Sequence, residues 1–228
     1  MKYGKTVRAK FISRPNRFIA YADVDGERVV CHVKNTGRCK ELLTEGCTVI
    51  LEQADREKNP ARKTDYDLIA VYKGGLLINM DSQSPNKAAY EFIPRLFENV
   101  TLIKPETVYG DSRFDFYIEA EGRRIFMEVK GCTLENEGVC KFPDAPTERG
   151  VKHLNELVKC ISDGYEAYIL FVIQMERAMY FTPNSETHPE FAEALKNAEK
   201  NGVKVLAYSC NVEEDSMTIR SPVEIRLQ

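Results

Sequence analysis

The chain has 228 residues, 43% of them hydrophobic and 10% aromatic, enough for one large core or two smaller ones. No apolar run approaches bilayer length. The longest is "AYILFVI" at 167–173, and the opening "MKYGKTVRAKF" has no apolar leader stretch, so neither a membrane span nor a secretory signal is expected. Seven cysteines without a CxxC pair or zinc-type spacing read as reduced thiols, which makes the cytoplasm the expected compartment. The net charge of −3 is unevenly spread: residues 1–80 hold 15 Lys+Arg against 10 Asp+Glu, and the remainder holds 17 against 25. A basic first part on an acidic body predicts that the first part meets an anion.

In chain order, the first eighty residues read as short strands. "TVRAKFI" alternates, with Val7, Ala9 and Phe11 on one side and Arg8 and Lys10 on the other. "RFIAYADV" and "ERVVCHV" flank Asp25-Gly26, a two-residue hairpin signal. "RCKELLTEG" (38–46) reads as a helical turn, followed by the strands "CTVILEQ", "DYDLIAVY" and "LLINM". Several short strands with one small helix predict an OB-like β-barrel. The polar stretch "DSQSPN" (81–86) sits where the charge changes sign, so the expected domains are 1–81 and 82–228.

The second part reads as α/β. "NKAAYEFIPRLF" is helical, though Pro94 disturbs its later half. "RFDFYIEA" and "RRIFMEVK" form a second hairpin around Glu121-Gly122. "TERGVKHLNELVKCIS" is a helix with Val151, Leu154, Leu157 or Val158, and Ile161 as its apolar stripe, capped by Thr147 or Asp144. "AYILFVIQ" has the near-continuous apolar content of a strand buried on both faces, and a further helix (189–202) and strand (203–212) follow.

The second hairpin carries the chemistry. A two-residue loop at Glu121-Gly122 sets Ile118 opposite Ile125, Phe116 opposite Met127 and Asp115 opposite Glu128, with Lys130 further along the same face. Opposed carboxylates repel unless something compensates them, and a divalent cation does so. Hard oxygen ligands suit Mg²⁺ or Mn²⁺. Lys130 then lies where it can orient or deprotonate a water, or neutralise charge on phosphorus. The bland alternative is a solvated hairpin face, but Phe126 shares that face and a solvated strand would not expose it.

Asp, hairpin, Glu-x-Lys, helix resembles the PD-(D/E)XK nuclease core. Over nearly the whole chain, "RPNRF" (14–18), "CHVKNTGR" (31–38), "RKTDYDL" (62–68), "DSQSPN" (81–86), "SRFDF" (112–116), "MEVKGCTL" (127–134) and "FPDAPTERGVKHLNEL" (142–157) resemble the sugar fermentation stimulation protein A (SfsA) family. That resemblance implies an OB-like N-terminal domain, a PD-(D/E)XK-type mixed-sheet C-terminal domain, and DNA binding without sequence preference. It also implies Asp115, Glu128 and Lys130 as the catalytic set, and Asp115, Glu128 and the Val129 carbonyl as metal ligands. A glutamate from the first core helix completes many such sites; Glu91 is the candidate and Glu98 its competitor.

Around the second helix, Glu148 and Arg149 are expected as neighbours of the site, and His153 as a partly buried histidine. In the first part, Arg14, Arg17, Lys34, Arg38 and Lys40, interleaved with Phe18, suit backbone tracking and base stacking. The expected activity is metal-dependent phosphodiester hydrolysis of DNA. The rivals are a non-enzymatic DNA-binding regulator of sugar (maltose) metabolism and a small-molecule phosphodiesterase.

Overall fold

The computed structural model describes every residue except Thr36, Arg38, Arg56, Lys58, Asn59 and Gln228. The first part is built from β1 (Thr6–Ser13), β2 (Ile19–Val24), β3 (Glu27–Val33), β4 (Thr48–Gln53), β5 (Tyr66–Lys73) and β6 (Leu76–Asn79). Their order is β3-β2-β1-β4-β5-β6, and a parallel pairing of β3 with β5 closes the first five into a barrel. Alternation drives this closure. Ala9 and Phe11 of β1 point inward with Ala20, Ala22, Cys31, Val49 and Leu51, while Arg8 and Lys10 stay exposed. Asp25 and Gly26 both take left-handed backbone, as the β2–β3 hairpin requires.

The segment before Gly46 is not a helix. Among its described residues the chain turns, with Leu42 and Leu43 N–H bonded to the Cys39 carbonyl, and then runs straight into β4. Gly46 N–H bonds to Phe11 O and Phe11 N–H to Cys47 O, so β1 draws the segment into extended pairing before a helix can propagate.

The second part begins with α1 (Ser84–Leu96), which tolerates Pro94 because it lies in the last turn. Then come β7 (Val100–Tyr109), β8 (Ser112–Ala120), β9 (Arg123–Cys132), β10 (Leu134–Asn136), β11 (Val139–Phe142), α2 (Glu148–Ser162), β12 (Glu166–Ile173), β13 (Tyr180–Pro183), α3 (Pro189–Lys200), β14 (Lys204–Glu213), β15 (Ser216–Pro222) and β16 (Glu224–Ile225). A mixed sheet runs β15-β14-β12-β9-β8-β7, with β9, β12 and β14 parallel at its centre. A small second sheet runs β10-β11-β13-β16. β7 carries no strand pattern in its sequence, since "KPE" interrupts it. It is the edge strand, where proline is tolerated.

The large sheet is covered on both faces. Ala88, Ala89, Phe92 and Ile93 of α1 pack on Ile118, Ile125, Met127 and Val129, and on Ile50 and Ile69 of the barrel. Leu154, Leu157 and Cys160 of α2 pack on the other face with Phe126, Ile169 and Phe171. All seven cysteines are free thiols. Among the described residues, no helix is long and apolar enough to cross a membrane.

Candidate active site

The β8–β9 hairpin turns at Glu121 and Gly122, both left-handed, and pairs Ile118 with Ile125 and Phe116 with Met127. The ladder stops there, one pair short of Asp115 and Glu128. Instead of a backbone partner, Val129 N–H donates to Asp115 Oδ2 at 2.7 Å. The strands separate at this point, and the carboxylate fills the gap.

Glu128 faces α2. It is 3% exposed, and its Oε1 accepts from Lys130 Nζ at 2.6 Å and contacts His153 Nδ1. Its Oε2 is buried and has no hydrogen-bond partner. Arg149 Nε donates to His153 Nε2 at 3.3 Å, which leaves the ring proton on Nδ1, facing Glu128. Burial pushes the Glu128 carboxyl up, but the His153 hydrogen bond and the Lys130 charge outweigh it and hold the group below its ordinary value. Asp115 goes the other way: burial and then the Glu128 charge raise it, against the hydrogen bonds from Val129 and Asn86. Asn86 Nδ2 of α1 donates to Asp115 Oδ1 at 2.7 Å.

The face shared by Phe126, Glu128 and Lys130 is therefore the buried floor of a site under α2, with Phe126 packed among Tyr109, Phe114 and Tyr165. The α2 stripe is rotated from the expected one. Gly150, His153, Leu154, Leu157 and Cys160 are buried, whereas Val151 and Ile161 are half-buried. Gly150 permits this, because a Cβ there would meet Phe191 at 3.1 Å and Thr147 at 2.8 Å. Thr147 caps the helix, its side chain accepting from Gly150 N–H. His153 thus belongs to the site, and its signal was the i, i+3, i+4, i+7 spacing that begins at Gly150. Asn86 had no local signal.

Other expected residues fall elsewhere. Glu91 Oε2 lies 2.5 Å from the Met1 ammonium, so it is the terminal amine that holds it, and Asn86 is what α1 gives to Asp115. Lys34 is not a surface cation. It is an inward-facing side chain within 3.3 Å of both Asp67 and Asp81, because β5 and the lead-in to α1 place those buried carboxylates around it. Arg14 binds the carbonyls of Gly37, Arg17 and Asn35 at 2.8, 2.7 and 2.6 Å, and so ties two loops together. Arg17 and Lys40 are exposed and line a cavity of about 300 Å³ with Phe11 and Asn16; Arg17 also sits 5.0 Å over the ring of Phe18. Arg149 is exposed above His153, and Arg38 lies outside the described residues.

Fold and site together define a two-domain α/β protein: an OB barrel followed by a sheet-rich domain with a buried acid–lysine cluster on its central hairpin. The SfsA N-terminal OB domain matches residues 12–80, and the Sugar fermentation stimulation protein RE domain matches residues 83–216. A Sugar fermentation stimulation protein homolog of Clostridium beijerinckii is 57% identical, with 100% of both chains covered. One from Desulfitobacterium hafniense is 56% identical, covering 100% of this chain and 99% of the relative. The structure of Pyrococcus furiosus SfsA in complex with Ca²⁺ superposes with a TM-score of 0.87 at 27% identity, covering 99% of this chain and 98% of that one. The chain belongs to the SfsA family.

Proposed function

We propose that this protein binds DNA with little sequence preference and hydrolyses its phosphodiester bonds with Mg²⁺ or Mn²⁺. The observation that carries the reading is Glu128 Oε2, a buried carboxylate oxygen without a partner beside Asp115 and Lys130. An orphaned anionic oxygen is costly, and a bound cation relieves that cost. Among the described residues no three His, Cys, Asp or Glu side chains converge on a metal position. The proposed donor set is two carboxylates and the Val129 carbonyl, which suits a hard cation that keeps water and phosphate as its other ligands. The Ca²⁺ complex of the Pyrococcus furiosus relative supports an oxygen-ligand cation.

Asp115, Glu128 and the Val129 carbonyl would hold the ion. Bound there, it would supply Lewis-acid polarisation of the scissile phosphate. Lys130, tethered to Glu128 Oε1, orients the attacking water and offsets the negative charge that builds on the phosphoryl oxygens. His153 and Arg149 fix the Glu128 carboxylate from behind. On the barrel, Arg17, Lys40 and Phe18 are the groups free to track a phosphate backbone and stack on bases.

The test is cleavage of labelled single- and double-stranded DNA in Mg²⁺, Mn²⁺ or EDTA, with Lys130→Ala alongside. Cutting that EDTA stops and that the variant loses, while DNA binding persists, is the expected result. Binding with no cutting in either metal would replace the hydrolase with a DNA-binding regulator.

A further inference from the structure

A cavity of about 480 Å³ opens beside Asp115, between α1, β7 and β8. Its size is that of a small-molecule pocket, roughly 300–1,000 Å³. Asn86, Lys87, Tyr90, Glu106, Asp115 and Phe116 line it. Asn86 and Tyr90 are one turn apart on α1 and so share a face. Asn86 grips Asp115, and Tyr90 lies one turn further on, 47% exposed, its ring centroid 6.2 Å from that of buried Phe116. The two rings are tilted by 42°, and an exposed aromatic ring anchored against a buried one can serve as a stacking platform.

The backbone beside the cavity is irregular. β7 pairs Pro105 with Phe116 and Thr107 with Phe114, but skips the pair between them. Glu106, opposite Asp115, sits in left-handed backbone at φ 50°. A non-glycine residue in that conformation within a strand is strained, and such strain gathers at functional sites. Lys87 is the rim cation left to meet an anion. Glu91 is paired with the Met1 ammonium and Glu106 with Arg113, while Lys87 is exposed and has no ion pair among the described residues.

We propose that this cavity is a nucleotide subsite in which one unpaired nucleobase stacks on Tyr90 while Lys87 meets its phosphate. Within a duplex both faces of a base are already stacked, so only a single-stranded, frayed or flipped nucleotide can present a free face to the ring. The subsite rests on the DNA-binding part of the proposed function and, where the hydrolase reading holds, narrows its substrate to DNA with an unpaired nucleotide beside the scissile bond.

The protein has no tryptophan, so Tyr90→Trp introduces a single tryptophan at the site, which is excited selectively at the red edge, apart from the tyrosines. In EDTA, which prevents cutting, a short oligothymidylate is titrated into this variant and binding is followed in parallel by anisotropy of a labelled strand. The expected result is quenching with the same midpoint as binding, and none with a blunt duplex. Tyr90→Ala should bind the single strand about tenfold more weakly, and Tyr90→Phe as the wild type does. A silent tryptophan on a bound strand, or full affinity in Tyr90→Ala, overturns the subsite. If cutting remains EDTA-sensitive and Lys130-dependent in that case, the hydrolase reading survives alone. If Tyr90→Trp is quenched but no metal supports cutting, the subsite stands and the hydrolase reading falls.

Discussion

Replacing Lys34 with methionine keeps the aliphatic stem and removes the ammonium. In the native protein that ammonium lies 3.3 Å from Asp81 Oδ2, 3.3 Å from Asp67 Oδ2 and 3.9 Å from Glu52 Oε2. Asp67 retains Arg62, bonded at 2.6 Å, and His32 at 3.0 Å, so it stays compensated. Asp81 does not. Its side chain is fully buried, and it keeps only the Gln83 N–H at 2.9 Å and a long contact of 3.4 Å with the Tyr3 hydroxyl. Removing one partner of a buried pair costs about 3–5 kcal/mol, and because one carboxylate rather than two is stranded, we expect the lower end, about 3 kcal/mol. For a chain of this size that lowers Tm by about 6–12 °C. Urea unfolding followed by circular dichroism measures the loss, and Lys34→Met/Asp81→Asn should regain most of it, since deleting both charges leaves none stranded. DNA affinity of the folded variant should stay at the wild-type value. A Lys34→Met protein as stable as wild type but weaker on DNA would refute this account and restore Lys34 as a phosphate contact.

Three further outcomes follow from the geometry. Burial raises the Asp67 carboxyl, but Arg62, Lys34 and His32 outweigh it and hold the group below its ordinary 3.8; its contribution is therefore present above that value and lost as pH falls through the lower, folded value. Urea midpoints should accordingly drop less between neutral and strongly acid pH in Asp67→Asn than in wild type, and equal drops would contradict the assignment. His153→Ala leaves Glu128 with Lys130 alone, and loss of such a supporting hydrogen bond should weaken Mn²⁺ binding about tenfold by calorimetry, with His153→Gln partly restoring it. A Cβ on Gly131 would stand 2.3 Å from Gln174 Oε1 and 2.8 Å from Pro85 Cγ, and Gln174 is pinned through Nε2 to Asn79, so Gly131→Ala should lose about 1–3 kcal/mol in urea unfolding. Unchanged stability would mean that the contact yields freely.

What the sequence disclosed was what local patterns encode. Period-two alternation and the Asp25-Gly26 and Glu121-Gly122 turns disclosed the six strands of the first part, five of which close the barrel, and the register of the β8–β9 hairpin, because a two-residue loop leaves one pairing. That register alone sets Asp115 opposite Glu128. Partners that arrive from far along the chain stayed hidden. Asn86 reaches Asp115 across 29 positions and His153 reaches Glu128 across 25, and no short window links either pair. Lys34 misled for a related reason. A lysine in a polar loop looks solvated, and the three carboxylates around it come from β4, β5 and the lead-in to α1.

The stretch that reads as a linker works as a bolt. "DSQSPN" is polar, yet Asp81 and Ser84 are fully buried. Ser84 Oγ donates to Asn79 Oδ1 at 2.8 Å, and Gln174 Nε2 donates to Asn79 Oδ1 at 3.0 Å and to the Asp81 carbonyl at 3.2 Å. Gln174 is itself fixed to β9, its N–H bonding to the Cys132 carbonyl at 2.9 Å. Fully satisfied buried polar networks hold one geometry, because any slip leaves a group unpaired. Here the network joins Lys34 of the barrel, the first turn of α1 and the strand that carries Glu128 and Lys130. Two residues into α1, Asn86 takes Asp115. The position of the Asp115 carboxylate is therefore set by the seam between the barrel and the sheet as much as by its own hairpin.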